Sequence, residues 1–200
     1  ISAARDAIER ALCLRGAHNA PVTELANSTA VLALVSEREG RAEAAAIWEQ
    51  AVALTRQGPD RVLTTEIELR AAIAAAERGD PASGEALLAL ATARCESLGR
   101  LEPTVAAMAA EARARLRFAE DAIEEAHGEA RRSHGSYAAI DATYHVARIE
   151  LLLGEIERRR GDHSRSTHWL GSACRLALRG RFELAWRPHE LEVLSAAACE

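Results

Sequence analysis

Histidines placed near carboxylates are the residues of this 200-residue chain with spacing suited to chemistry. Glu124 and His127 lie three apart and share a helix face, as in half of a di-iron bundle site. That site needs a second Glu-x-x-His and two further glutamates. No other histidine here has glutamate three residues before it, so the expectation is a surface pair. Asp141 and His145 are four apart, within reach of a hydrogen bond or half a metal site, and with no third ligand they read as a structural pair. His163 and His168 are five apart and do not align. His189–Glu190 opens like a zinc-protease helix motif but lacks the second histidine four residues on. No nucleophile elbow or glycine-rich phosphate loop is present. All 25 basic residues are arginine, which excludes a P-loop lysine, a Schiff-base lysine and a kinase-type ATP lysine within this segment. No metal, cofactor or enzymatic activity is expected.

Net charge is −5, which argues against general polyanion binding and against direct contact with nucleic acid. The charge is uneven. Residues 145–189 carry nine arginines against five carboxylates, a local +4, leaving −9 elsewhere. Cys13, Cys95, Cys174 and Cys199 are widely separated, without a C-x-x-C pair, and read as buried thiols in a reducing cytoplasm. No apolar run approaches membrane-spanning length, and no signal peptide is visible. The first residue is Ile1 and the sole methionine is Met108, so the chain reads as a piece of a longer multidomain protein.

The elements that must position these groups are helical. Alanine supplies 45 residues, aromatics are only 4%, and no period-2 run suggests a strand. Glycine, proline and aspartate punctuation divides the chain into helices over 2–15, 23–39, 41–56, 61–78, 83–98, 103–118, about 121–134, 137–160 and 163–178. A last helix extends to Ala198. Thr23 and Asp60 are expected N-caps, and Gly79–Asp80–Pro81 is a stop and restart. Short links between helices imply antiparallel hairpins.

Gly40, Gly79 and Gly161 each divide two helical segments and precede a stripe of small, large and small residues: Ala44–Trp48–Ala51, Ala86–Leu90–Ala93 and Ser166–Leu170–Ala173. A weaker copy is Ala119–Ile123–Ala126. Each stripe occupies one helix face and lets a neighbouring helix approach closely around a bulky plug. Together with Leu153–Gly154, Leu32–Ala33 and Ala71–Ala72 before the turns, this pattern resembles the tetratricopeptide repeat over most of residues 23–178. Stripes begin at 44, 86, 119 and 166, about 41 residues apart on average against the usual 34. That departure resembles the longer repeats in sensor regions of large bacterial LuxR-type activators and in tails of bacterial serine/threonine kinases.

The resemblance implies an all-α, right-handed α-solenoid of about five antiparallel hairpins, residues 1–200 forming one repeat domain, and it brings no catalytic residues. It implies a module that binds a protein or peptide within a bacterial signalling or transcription-regulating polypeptide. The alternative is a solenoid that senses a small effector for an attached output domain. Trp48 is expected as a core plug. Arg158, Arg159, Arg160 and Arg165 around Trp169 are the candidate partner-binding residues, suited to an acidic protein or peptide.

Overall fold

Alanine, leucine, arginine and glutamate are strong helix formers, and the described residues fold as helices joined by short turns. The structure is a computed structural model and describes residues 2–98 and 102–180. These contain nine α-helices and no strand: α1 (Ser2–Ala17), α2 (Val22–Arg38), α3 (Ala44–Thr55), α4 (Arg61–Arg78), α5 (Pro81–Leu98), α6 (Pro103–Ala119), α7 (Ile123–Ala139), α8 (Thr143–Arg159) and α9 (His163–Gly180). No described helix is long and apolar enough to cross a membrane. The expected last helix lies outside the described residues. Two compact units divide the chain, residues 1–100 with α1–α5 and residues 101–200 with α6–α9.

Within each unit the strongest packing joins consecutive helices into hairpins: α2 with α3 and α4 with α5 in the first, α6 with α7 and α8 with α9 in the second. All four hairpin turns have one construction. A residue in the left-handed region ends the first helix: Gly40 (φ 67°), Gly79 (φ 82°), Asp121 (φ 62°) and Gly161 (φ 80°). The next amide reaches back five residues, as in Arg41 N to Ser36 O at 3.0 Å and Ala122 N to Arg117 O at 2.9 Å. This closure satisfies carbonyls that a helix end would leave unpaired. Glycine adopts such φ without strain, and aspartate is among the few other residues that visit it. Asp60 and Asp80 then cap α4 and α5 by accepting from Leu63 N (2.9 Å) and Ser83 N (3.2 Å). Thr23 does not cap α2, whose N-cap is Pro21.

The second helix of every hairpin buries a matching four-residue stripe: Ala44–Trp48–Ala51–Thr55, Gly84–Leu88–Ala91–Cys95, Ala126–Ala130–Ser133–Tyr137 and Ser166–Leu170–Ala173–Ala177. Two expected stripes are corrected. In α5 the buried face is two residues before Ala86–Leu90–Ala93, and Leu90 is 45% exposed. The third stripe begins at Ala126, because Ala119 closes α6 and Ile123 opens α7. The expected break at His134–Gly135–Ser136 is also absent. Gly135 sits within α7, and the chain turns at Asp141 (φ 53°), so α8 begins at Thr143 instead of Tyr137. A lone glycine costs a helix only about 1 kcal/mol, less than α7 gains by burying Tyr137. Arg41, expected inside α3, lies in the turn before it.

Candidate functional site

The C-terminal turn of α8 and the start of α9 hold the arginines that the sequence singles out. Basic residues suit the end of α8, where the helix dipole presents its negative end, whereas Arg165 stands in the first turn of α9. Each is already paired within its own unit. Arg158 meets Glu155 (Nε–Oε2 3.0 Å), and Arg159 meets Asp121 at 2.8 Å while covering the Phe118 ring at 4.6 Å. Arg160 holds Glu124 and Glu157, both at 2.9 Å, and Arg165 meets Asp162 at 3.4 Å. Hydrogen bonding to Glu155 raises the Arg158 pKa, and hydrogen bonding to Glu124 raises that of Arg160. Arg158, Arg159 and Arg165 keep 45%, 43% and 65% of their side-chain surface in solvent. Asp121 and Glu124, outside the +4 segment, therefore screen much of its charge.

Trp169 turns toward α7. Its ring meets His134 edge-on at 5.3 Å, lies under Arg131 at 5.2 Å, and packs on the cluster of Ile149, Leu152, Leu153 and Ile156. It is half-buried. The structure thus brings Arg158, Arg159 and Arg160 to one helix end and sets the tryptophan against the preceding hairpin.

Beside this surface α7 and α8 form an antiparallel ladder. His127 Nε2 lies 3.1 Å from Glu157 Oε1, and two helical turns away His134 Nε2 lies 3.2 Å from Glu150 Oε1. Both glutamates are buried. The expected Glu124–His127 surface pair is therefore not made, since Glu124 goes to Arg160 and His127 to Glu157. Asp141 serves as a turn residue, and His145 stacks on Tyr137 at 4.6 Å.

Sequence reasoning missed the buried acid Glu111. It accepts from Tyr137 Oη (3.0 Å), Arg115 (3.0 Å) and Arg148 (3.1 Å). Burial pushes its pKa up, but the charges of Arg148 and Arg115 prevail and hold it at about 2. The same burial, with the neighbouring carboxylate, pushes the Tyr137 phenol upward. These groups hold one another across three helices, so the cluster locks α6, α7 and α8 together. In the first unit Glu68 is held likewise, by Arg94 at 3.1 Å.

The first unit contains a cavity of about 250 Å³ between α3, α4 and α5. Its walls are small because α3 and α4 contribute Ala45, Ala53, Ala71 and Ala75, and Val52, Leu87 and Trp48 complete the apolar surface. Trp48 is 2% exposed, as expected of a plug, and its indole Nε1–H meets no acceptor in the protein. An unmet buried donor costs about 1–3 kcal/mol. Arg56 and Arg78 also line the cavity, with Glu49, Asp80 and Ser83.

Of the described cysteines Cys95 is buried as expected, whereas Cys174 is half-buried and Cys13 exposed. Among the described residues no three His, Cys, Asp or Glu side chains converge as a metal site. Trp186, His189 and Cys199 lie outside them.

The sequence matches no protein-family profile and no curated protein. Its fold is similar to a solved helical protein, the crystal structure of BtubC (BKLC) from P. vanneervenii. The TM-score is 0.61 at 19% identity, covering 98% of this chain and 80% of that one. At that identity the likeness concerns the fold alone.

Proposed function

We propose that this chain is a tetratricopeptide-like helical-repeat module of the right-handed solenoid type. In this reading it binds an acidic peptide or protein segment as part of a bacterial signalling or transcription-regulating protein in the cytoplasm. The observation that carries the reading is the repetition of one hairpin. Left-handed turn residues recur at 40, 79, 121 and 161, each followed by the same four-residue stripe. Repeated hairpins stack to bury faces that none can bury alone, and the surfaces so made are used for binding. Arg158, Arg159 and Arg165 are the docking groups of this proposal, since exposed ion pairs are worth under about 1 kcal/mol and exchange readily for a partner's carboxylates.

Selection of peptides from a random display library tests it. Acidic sequences should be enriched by the wild type and lost by an Arg159→Glu, Arg165→Glu double variant with an unchanged melting curve. Enrichment indifferent to peptide charge, or retained by the double variant, rejects the arginine surface. A second reading, control by a small effector, is favoured by one observation: the cavity beside Trp48.

A further inference from the structure

We propose that the half-open cavity between α3, α4 and α5 is a binding site for a small uncharged aromatic molecule, about the size of an indole. This assignment deepens the effector reading above, on which it rests, and is separate from the arginine surface.

The chain carries a filled copy of the site. In the second unit the corresponding space lies between α7, α8 and α9, and Trp169 fills it. Stripes and turns give the correspondence. Leu87 precedes the buried Leu88 as Trp169 precedes Leu170, and Val52 follows Ala51 as His134 follows Ser133. Ala71 and Ala75 stand eight and four residues before the turn at Gly79, as Leu153 and Glu157 stand before Gly161. The Trp169 ring meets His134 at 5.3 Å and packs on the cluster that contains Leu153. At all four positions the first unit has the smaller side chain, and all four of these residues line the cavity. The cavity is thus the room that an indole, its wall and its floor take up in the other copy.

Volume and lining define the occupant. At about 250 Å³ the space exceeds a cavity of roughly 150 Å³ that accepts benzene and falls below pockets suited to drug-sized molecules, which fits a two-ring system. Ala71, Ala75, Val52 and Leu87 offer only hydrocarbon, and Trp48 adds ring surface, its nitrogen being shut off from the space. The charged residues nearby are engaged or at the rim. Arg78 pairs with Glu37, Asp80 caps α5 through Ser83, and Glu49 and Arg56 are exposed. A charged ligand would therefore bury its charge without compensation. An aromatic ring can pair with Trp48 in the edge-on or offset arrangements that such rings favour.

Indole is the probe, followed through the Leu87 and Val52 methyl peaks in carbon-correlated NMR spectra of the 200-residue chain. Leu87→Met and Val52→Ile identify those peaks. The expected result is a saturable shift of both. Leu87→Trp, which rebuilds the filled copy, should weaken binding at least about tenfold. Ala53→Leu, on the cavity wall but at an exposed position that does not threaten folding, should weaken it in the same direction. Peaks unmoved up to the solubility limit of indole overturn the proposal, as does undiminished affinity in Ala53→Leu. Equal binding of cyclohexanol overturns the aromatic assignment and leaves the effector reading standing. Saturable shifts confined to the cavity lining would confirm the site and reject effector control. The double arginine variant of α8 and α9 should bind indole normally, so the peptide surface and this site can fail independently.

Discussion

Leu170 Cγ on α9 lies 2.6 Å from where a β-carbon on residue 154 of α8 would stand, a distance that only glycine permits. Gly154 thus sets how closely the two helices of the last hairpin approach, and Leu170 fills the space its missing side chain leaves. Gly154→Ala should destabilise the protein by about 1–2 kcal/mol, the overpacking cost exceeding the helix-propensity gain of about 1 kcal/mol. Chemical denaturation checks this. The same change in a Leu170→Ala background should cost less, and strict additivity of the two substitutions would remove the proposed contact.

Gly135 provides the opposite case. It lies within α7, exposed, with nothing near its missing β-carbon. Gly135→Ala should stabilise by about 0.5–1 kcal/mol. A higher melting temperature would confirm that the helix is continuous there, and a lower one would restore a break at this residue.

These two glycines show where the fold was legible. Gly40, Gly79 and Gly161 announce their turns because glycine in the left-handed region is a common helix stop. Asp121 and Asp141 adopt the same conformation, but aspartate is equally at home at caps and on helix surfaces, so its type alone does not mark a turn. Trp48 and Leu170 stand out as single bulky residues among small ones, and their stripes are read correctly. In α5, Leu87, Leu88 and Leu90 alternate with Ala86, Ala89, Ala91 and Ala93, so several registers satisfy the same pattern. Packing against α4 selects Leu88. The buried acids were hidden for a related reason. Glu111 carries an ordinary surface signature, although its setting among Ala109, Ala110 and Ala112, with Arg115 four residues on, offered a signal. The partners that hold it, Tyr137 and Arg148, come from other helices, and no local spacing specifies them. The arginines were read by local count, and the neutralising Asp121 and Glu124 come from another hairpin.

Trp48→Ala should cost about 3–5 kcal/mol, because the indole is buried among Ala30, Ala33, Ile67 and Ala71. Trp48→Phe should cost about 1–2 kcal/mol, since it keeps an aromatic plug and removes a donor that lacks a partner. Glu49→Ala, on the exposed face next door, should change stability by less than about 0.5 kcal/mol. Urea titrations of the three variants check the ranking, and a silent Trp48→Ala would mean that α3 is rotated from the face described.

Acid should weaken the second unit through Glu111. Its pKa falls from 4.5 to about 2 in the folded protein, so folding favours the ionised form. The sign follows from proton counts. Above pH 4.5 the carboxylate is ionised in both states and the stabilisation is complete. Between 4.5 and 2 the unfolded chain binds the proton first, so stability is lost as the pH falls, and below 2 the contribution is gone. A displacement of this size is worth on the order of 3 kcal/mol. Glu111→Gln keeps the shape but leaves Arg115 and Arg148 facing a neutral amide, and should destabilise by about 3–5 kcal/mol near pH 7. Tyr137→Phe should cost less, about 1.5–3 kcal/mol, for the lost hydrogen bond to a charged acceptor. Melting from pH 7 to pH 2 checks the mechanism: the gap between wild type and Glu111→Gln should narrow steadily below pH 4.5. A gap that stays constant to pH 2 would show that Glu111 contributes through shape and packing, with its charge playing no part.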